Sequence, residues 1–184
     1  DICREAGVPP GVVNLLSGPN GFLTNMSDEA TSAAKFEVSS TDYENGAVIP
    51  KVHACTSKGG SNTSPQLQWL NAPEATRSFA VIMDDEISPC GIEENACPHW
   101  NAVNIPQAKM EFAQGESLDD SILENTDKYY GPCPPNNHSY NITVYALNEN
   151  MPTLSADDLG EQGLTRSQFS TLYEQYILAK ATLN

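Results

Sequence analysis

Short runs of alternating apolar and polar residues, separated by turn residues, follow one another from Lys35 onward. An alternation with a period of two puts every second side chain on one face of a strand, and a continuous apolar run predicts a strand buried on both faces. The runs predict strands at residues 36–40, 48–49, 66–70, 78–83, 101–105 and 141–147. This pattern predicts an all-β fold, a β-sandwich, rather than a βαβ unit.

Two segments predict helices. Apolar residues recur at helical spacing from Arg166 to about Thr182, and Thr165 can cap the first turn of this C-terminal helix. The residues at this spacing are Phe169, Leu172, Tyr173, Tyr176, Ile177 and Lys180. A shorter peripheral helix is predicted near Ser117 to Glu124.

Composition narrows the class of protein. A chain of 184 residues can bury its apolar surface in one core, so we expect a single domain over residues 35–184. The formal net charge of −15 repels phosphate backbones and anionic lipid surfaces, which excludes nucleic acid as a partner. It does not exclude a single phosphate bound by a few donors at short range. The sequence has no apolar run long enough to cross a bilayer.

Candidate chemistry lies at the ends of three apolar runs. Asp84 and Glu86 follow the run that ends at Met83, His99 precedes the next run, and His138 precedes Tyr140 at the start of the last. Strand ends and their loops gather at the edge of a sandwich, where binding sites form. Two imidazoles with nearby acids can bind a small oxyanion, so this spacing predicts one shared pocket.

The same blocks resemble the phosphatidylethanolamine-binding protein family, in particular its bacterial Raf-kinase-inhibitor-like branch. The resemblance covers residues 36 to 183 and is carried by the blocks GGSNTSPQLQW, SFAVIMDDE, PHWNAVNIP, YYGPCPPNNHSY and YILAKA. Asp84 matches the first acid of the family's Asp-Pro-Asp-x-Pro motif, and Glu86 replaces the second acid. Pro89 resembles the family proline that follows a cis peptide, one residue farther on than expected.

The resemblance implies non-enzymatic binding of a small anionic or phosphorylated ligand, such as phosphate or a phospholipid head group, with no cofactor. The ligand-binding residues that it implies are Asp84, Glu86, His99, Gly131, Pro132, His138 and Tyr140. Gly131 and Pro132 restrict their loop, so that its amides can face a ligand at low ordering cost. Ser139 stands where relatives carry an arginine, so an ion pair to the second acid is missing.

Two other functions stay open. Members of the family have been assigned roles as inhibitors or signalling partners of a protease, kinase or receptor, which the pocket rim would contact. A metal-dependent hydrolase is the second alternative, with zinc held by His99, His138, Asp84 and Glu86. The sequence has no nucleophile elbow, P-loop or dinucleotide fingerprint.

Cysteine spacing predicts a small disulfide-closed loop between Cys90 and Cys97, which bracket a polar, glycine-containing segment. The resemblance implies a second bridge between Cys55 and Cys133, since both positions look like cysteine positions of exported bacterial members. Cys3 is then the odd thiol. These pairings favour a periplasmic or secreted location, and five reduced cysteines in a cytoplasmic protein are the alternative.

The first residues do not continue this pattern. Residues 1–18 resemble a segment of aldehyde dehydrogenases, with a Pro-Pro-Gly turn, but nothing after Gly18 extends the similarity or supplies a catalytic cysteine block. Residues 19–34 are rich in small and polar residues and predict a linker. We therefore expect residues 1–34 to be a fused leader and linker outside the core.

Overall fold

A computed structural model describes residues 34–116, 129–150 and 163–184. Within these ranges most of the regular secondary structure is β-strand, in two antiparallel sheets with the strand orders β1-β2-β5 and β4-β3-β6-β7. The strands are β1 (Glu37–Ser39), β2 (Leu67–Leu70), β3 (Ser78–Asp85), β4 (Cys97–Pro106), β5 (Glu111–Phe112), β6 (Tyr140–Leu147) and β7 (Ile177–Leu183). The α-helix α1 spans Arg166–Leu172, and single 3₁₀ turns lie at Lys51–His53, Thr56–Lys58, Glu93–Asn95 and Glu174–Tyr176.

Strand β3 lies inside the larger sheet, and every one of its residues is buried. Its two faces serve different cores, because successive side chains of a strand point to opposite sides. Phe79, Val81 and Met83 pack in a core shared with residues of the smaller sheet, and the rings of Phe79 and Trp69 lie 5.4 Å apart. Ala80 and Ile82 on the other face pack in a second core that includes Phe169 of α1. The continuous apolar run of β3 is thereby explained.

The predicted long C-terminal helix is wrong beyond its first two turns. Thr165 does cap α1, since its hydroxyl accepts a hydrogen bond from the backbone of Gln168 at 3.1 Å. The helix ends at Leu172, and residues Ile177–Leu183 form β7, an antiparallel partner of β6. Residues 177, 179, 181 and 183 are the more buried ones in this strand, a period of two. The side-chain spacing of this segment is compatible with both a helix and a strand. Pairing with the free backbone edge of β6 therefore favours the strand.

The other expectations have mixed outcomes. The strands predicted at residues 36–40, 66–70, 78–83, 101–105 and 141–147 are confirmed, whereas residues 48–49 form no strand and Val48 is exposed. Strand β4 begins at Cys97, earlier than predicted, so that His99 lies within a strand. The helix predicted near residues 117–124 lies outside the described residues, as does the leader and linker prediction except for Ala34. None of the described helices is long and apolar enough to cross a membrane.

Candidate functional site

Three strand ends meet where β3 leaves the larger sheet. Asp85, the last residue of β3, pairs with Tyr140 at the start of β6 and with Cys97 at the start of β4. His138 precedes Tyr140 by two residues, and His99 follows Cys97 by two. The antiparallel pairing thus brings together residues that are widely separated in sequence.

A β-bulge at His99 determines which side of the sheet this histidine faces. Met83 pairs with Trp100 and Asp84 pairs with Pro98, so His99 is an extra residue without a partner on β3. A regular alternation from Trp100, which lies in the core between the sheets, would direct His99 to the opposite face. Bulges re-aim side chains in this way. The imidazole instead contacts the ring of Tyr140, with 5.1 Å between centroids.

The closest polar contact of the site joins His138 to Asp85. The Nδ1 atom of His138 lies 2.5 Å from Oδ2 of Asp85, and the two side chains are only 2% and 3% exposed. Because a carboxylate only accepts hydrogen bonds, Nδ1 carries the proton. The other oxygen of Asp85 accepts a hydrogen bond from the backbone of Ile87 at 2.8 Å. Nε2 of His138 is buried and has no hydrogen-bond partner among the described residues.

His99 has a comparable arrangement with a neutral partner. Its Nδ1 atom donates to the carbonyl oxygen of Tyr130 at 2.7 Å, which leaves Nε2 as the other functional atom of this imidazole. The ring of Tyr140 contacts both imidazoles, edge-on to His99 and stacked with His138 at 6.4 Å. Burial raises the pKa of the Tyr140 hydroxyl, and the charge of Asp85 and its hydrogen bond raise this pKa further. The Tyr140 hydroxyl therefore stays neutral, and its proton is donated to Asp85.

Gly131 and Pro132 lie beside the histidines, but their amides do not face a ligand. The amide of Gly131 donates to Oδ1 of Asn62 at 2.7 Å, and Pro132 has no amide hydrogen. A Cβ atom at Gly131 would lie 2.4 Å from the carbonyl oxygen of His53, so only glycine fits between these two segments. The carbonyl oxygen of Pro132 accepts from the backbone of Cys55 at 3.0 Å. The loop therefore contributes close packing rather than hydrogen-bond donors.

Two cysteine pairs flank the site. Cys55 and Cys133 lie at disulfide distance, as do Cys90 and Cys97, and the Cα–Cα distance is 5.4 Å in each pair. The first pair connects the loop after Pro132 to the 3₁₀ turns of the preceding segment. The second pair closes the connection between β3 and β4. Cys3 lies outside the described residues.

Asp84 and Glu86 lie elsewhere, in contact with Arg166 of α1. Asp84 is fully buried and accepts hydrogen bonds from the backbone nitrogen of Arg166 at 2.8 Å and from its Nε atom at 2.5 Å. A carboxylate oxygen of Glu86 lies 3.4 Å from Nη2 of the same arginine. Burial raises the pKa of Asp84, although the hydrogen bonds and charge of Arg166 act in the opposite direction. The structure does not bring these two acids to the histidines.

Asp85 is the site residue that the sequence reasoning missed, and Arg166 is the partner of Asp84 that it also missed. The alternation of β3 supplied the signal for Asp85, because this residue shares the side of the strand occupied by Val81 and Met83. Motif spacing supplied a second signal, since Pro89 is four residues after Asp85 as in Asp-Pro-Asp-x-Pro, and the Ser88–Pro89 peptide is cis. Arg166 belongs to a distant segment, and no local pattern indicated it.

A cleft of about 640 Å³ lies on the α1 face of the larger sheet, away from Asp85. Polar and charged side chains supply most of its lining, which consists of Glu86, Thr143, Tyr145, Arg166, Ser167, Ser170, Thr171, Glu174, Ile177, Ala179, Lys180 and Thr182. The floor is already hydrogen-bonded, since the hydroxyls of Thr143 and Thr182 lie 2.8 Å apart.

No three His, Cys, Asp or Glu side chains in residues 34–116, 129–150 and 163–184 form a group that could hold a metal ion. The four residues suggested as zinc ligands are divided between the two faces of β3, His99 and His138 on one and Asp84 and Glu86 on the other. The described residues thus do not provide the set of zinc ligands that a metal-dependent hydrolase would need.

Comparisons with known proteins agree with this fold. The family profile described as phosphatidylethanolamine-binding protein matches residues 39–184. A UPF0098 protein of Aquifex aeolicus is 31% identical, over 87% of this chain and 92% of its own length.

Two solved structures are also similar. One is the crystal structure of Escherichia coli YbcL, described as a new member of the mammalian PEBP family, with a TM-score of 0.65 and 25% identity over 82% of this chain and 96% of that chain. The other is Chlamydia trachomatis CT736, described as a putative phosphatidylethanolamine-binding protein homolog, with a TM-score of 0.60 and 27% identity over 81% of this chain and 94% of that chain. The extent of the profile match and the identity to the Aquifex protein lead to one conclusion: this chain belongs to the phosphatidylethanolamine-binding protein family.

Proposed function

We propose that this protein binds a small anionic or phosphorylated ligand, without catalysing a reaction, between His99, His138 and Tyr140. The observation that carries the proposal is the buried Nε2 atom of His138, which has no hydrogen-bond partner among the described residues. A buried polar atom without a partner costs free energy, so such an atom in a native protein requires an explanation. A ligand oxygen at this position supplies one.

The chemistry of the two imidazoles specifies how an oxyanion binds. Asp85 and the carbonyl of Tyr130 hold the Nδ1 protons, so a neutral imidazole presents only a lone pair at Nε2. Such an atom donates to an anion only after it takes up a proton, and it accepts only from a protonated ligand oxygen. For a hydrogen bond to form there, either the ligand oxygen at Nε2 or the imidazole must carry the proton. The single proton of the Tyr140 hydroxyl is engaged with Asp85, so Tyr140 lines this site with its ring rather than donating to the anion.

We propose that the protein is not a catalyst because of what surrounds Nε2 of His138. In a Ser-His-Asp triad, a nucleophilic hydroxyl lies at the Nε2 atom of the histidine whose Nδ1 atom contacts the carboxylate. Asp85 and His138 reproduce the carboxylate-histidine contact, but no described residue supplies a hydroxyl or thiol bonded to Nε2. This arrangement favours binding over acyl transfer.

Calorimetric titration with inorganic phosphate and with phosphoethanolamine tests the proposal. The variant His138→Asn puts an amide nitrogen near the position of Nδ1, which retains a partner for Asp85 but removes Nε2. Loss of a charge-assisted hydrogen bond should weaken binding about ten- to hundredfold. Equal affinities of wild type and variant would show that the ligand does not bind at His138.

We also propose the finer features that accompany this function. The two sheets share one core and are proposed to form a β-sandwich. Cysteine pairs at disulfide distance favour an oxidising compartment, so a periplasmic or secreted location is proposed.

A further inference from the structure

A surface asparagine connects the two loops beside the histidines. Asn62 donates through Nδ2 to the carbonyl oxygen of Tyr129 at 3.2 Å and accepts through Oδ1 from the amide of Gly131 at 2.7 Å. Its own backbone amide donates to the carbonyl oxygen of Ala54 at 2.9 Å. One side chain thus holds the residues on both sides of Tyr130.

Tyr130 is the residue that contacts His99. Its carbonyl oxygen accepts from Nδ1 of His99 at 2.7 Å, and its amide donates to the carbonyl oxygen of His99, also at 2.7 Å. A backbone carbonyl cannot donate, so the position of this carbonyl determines that Nδ1 carries the proton and that Nε2 is presented. The carbonyl position in turn depends on the two neighbouring peptides that Asn62 holds.

We infer that Asn62 is a positioning residue, which fixes the tautomer and the orientation of His99 through Tyr130. This inference rests on the proposed function for its effect on ligand affinity, but not for its effect on His99 itself. Hydrogen bonds from residues that do not themselves touch the bound group orient histidines in many metal sites, and the same physics applies here.

The local backbone explains why an asparagine stands at this position. Asn62 has a φ of 54°, in the left-handed region that asparagine and glycine tolerate better than other residues. Glycine at residue 62 would keep this conformation and would lose both side-chain hydrogen bonds. The loop has other attachments, including the hydrogen bond from the Tyr129 hydroxyl to the carbonyl of His53 at 3.0 Å. We therefore expect an Asn62 variant to fold with a local change at Tyr130 and His99.

Two variants and one matched control separate positioning from folding. Asn62→Gly removes both side-chain bonds, and Asn62→Asp keeps the acceptor for Gly131 but removes the donor to Tyr129. Asn71→Gly is the control, since Asn71 also has a positive φ, 60°, and its Nδ2 atom donates to the carbonyl of Lys35 at 3.0 Å, away from the histidines. Thermal unfolding of all three variants reports their stability.

The decisive measurement is the tautomer of His99, read from long-range ¹H–¹⁵N spectra of the imidazole without ligand. In the wild type the Nδ1–H form should dominate, and Asn62→Gly should shift His99 toward a mixture with the Nε2–H form. His138 is an internal reference, because Asp85 holds its proton independently of Asn62. Affinity for inorganic phosphate should fall about tenfold in Asn62→Gly, less in Asn62→Asp, and should not change in Asn71→Gly.

Unchanged His99 spectra in Asn62→Gly would overturn the inference, whatever the affinity. If Asn62→Gly does not fold, Asn62→Asp with an unchanged His99 spectrum overturns it in the same way. A wild-type protein that binds no phosphate or phosphoethanolamine contradicts the proposed function alone, and the tautomer then still decides the role of Asn62.

Discussion

Asp84 and Asp85 are consecutive residues whose carboxylates serve opposite faces of one strand. Asp84 contacts Arg166 on the α1 side, and Asp85 contacts His138 on the side of the core between the sheets. Both are buried, so each requires its own partner. This division separates an ion pair that joins α1 to the sheet from a hydrogen bond that orients a histidine.

Replacing each of these acids by its amide should therefore have different effects. Asp85→Asn replaces the charged acceptor of the His138 Nδ1 hydrogen bond by a neutral amide, and we expect phosphate affinity to fall about tenfold or more. Asp84→Asn is a matched control with the same chemical change on the other face, and it should leave the affinity unaltered. Calorimetric titration at neutral pH checks both. A comparable loss in the two variants would mean that the acids act together.

Asp84 should also make stability depend on pH in an unusual direction. Burial raises its pKa above that of the unfolded chain, so between about pH 4 and the raised value only the folded state holds the proton. Its contribution to the free energy of unfolding is fully present at low pH and is lost as pH rises through the folded pKa, by up to about 1.4 kcal/mol per pH unit.

Urea denaturation of the wild type and of Asp84→Asn across this range isolates the effect from the other carboxylates. The free energy of unfolding of the wild type, relative to the variant, should decrease with rising pH. A relative increase would show that Arg166 lowers the pKa of Asp84 by more than burial raises it.

The strand at the C-terminus can be tested with two leucines. Leu183 is 1% exposed and packs in the core with Ile142, whereas Leu178 in the same strand is 38% exposed. Leu183→Ala should lower the free energy of unfolding by about 2 to 5 kcal/mol, and Leu178→Ala should have a much smaller effect. Chemical denaturation of both variants gives the comparison. Similar losses at the two positions would contradict the alternation of β7.

The cysteine pairs predict a specific pattern of thiol reactivity. If Cys55 pairs with Cys133 and Cys90 with Cys97, alkylation of the denatured protein without reductant should label only Cys3. The chain-entropy relation gives about 4.5 kcal/mol of stabilisation for a separation of 78 residues and about 2.4 kcal/mol for a separation of 7. Replacing Cys55 and Cys133 by serine should thus destabilise the protein more than replacing Cys90 and Cys97. Five labelled thiols would exclude both bonds.

Much of the fold could be predicted because strand patterns are local. The apolar run of β3 and the alternation before Leu147 in β6 each follow from side chains a few residues apart. The C-terminal strand could not be predicted in this way. Residues 177–183 have no turn residue to separate them from α1, and their sequence, Ile-Leu-Ala-Lys-Ala-Thr-Leu, is compatible with both a helix and a strand.

The candidate site was predictable in part for a related reason. Motif order indicated His99, His138 and Tyr140, which do lie together. Choosing between Asp84 and Asp85 required knowing which face of β3 meets the histidines, and this depends on strand pairing across the chain. Arg166 lies 82 residues from Asp84, and only the packing of α1 against the sheet joins them.

The extra residue at the start of β4 also affects how relatives are compared. His99 reaches Tyr140 only because of the bulge. The number of residues between Cys97 and Trp100 therefore determines whether this contact forms. Deleting one residue there would restore a regular pleat and turn the imidazole toward Asp84. An alignment gap at this point, which usually counts as a neutral difference in length, would therefore separate chains that keep the histidine pair from chains that have lost it.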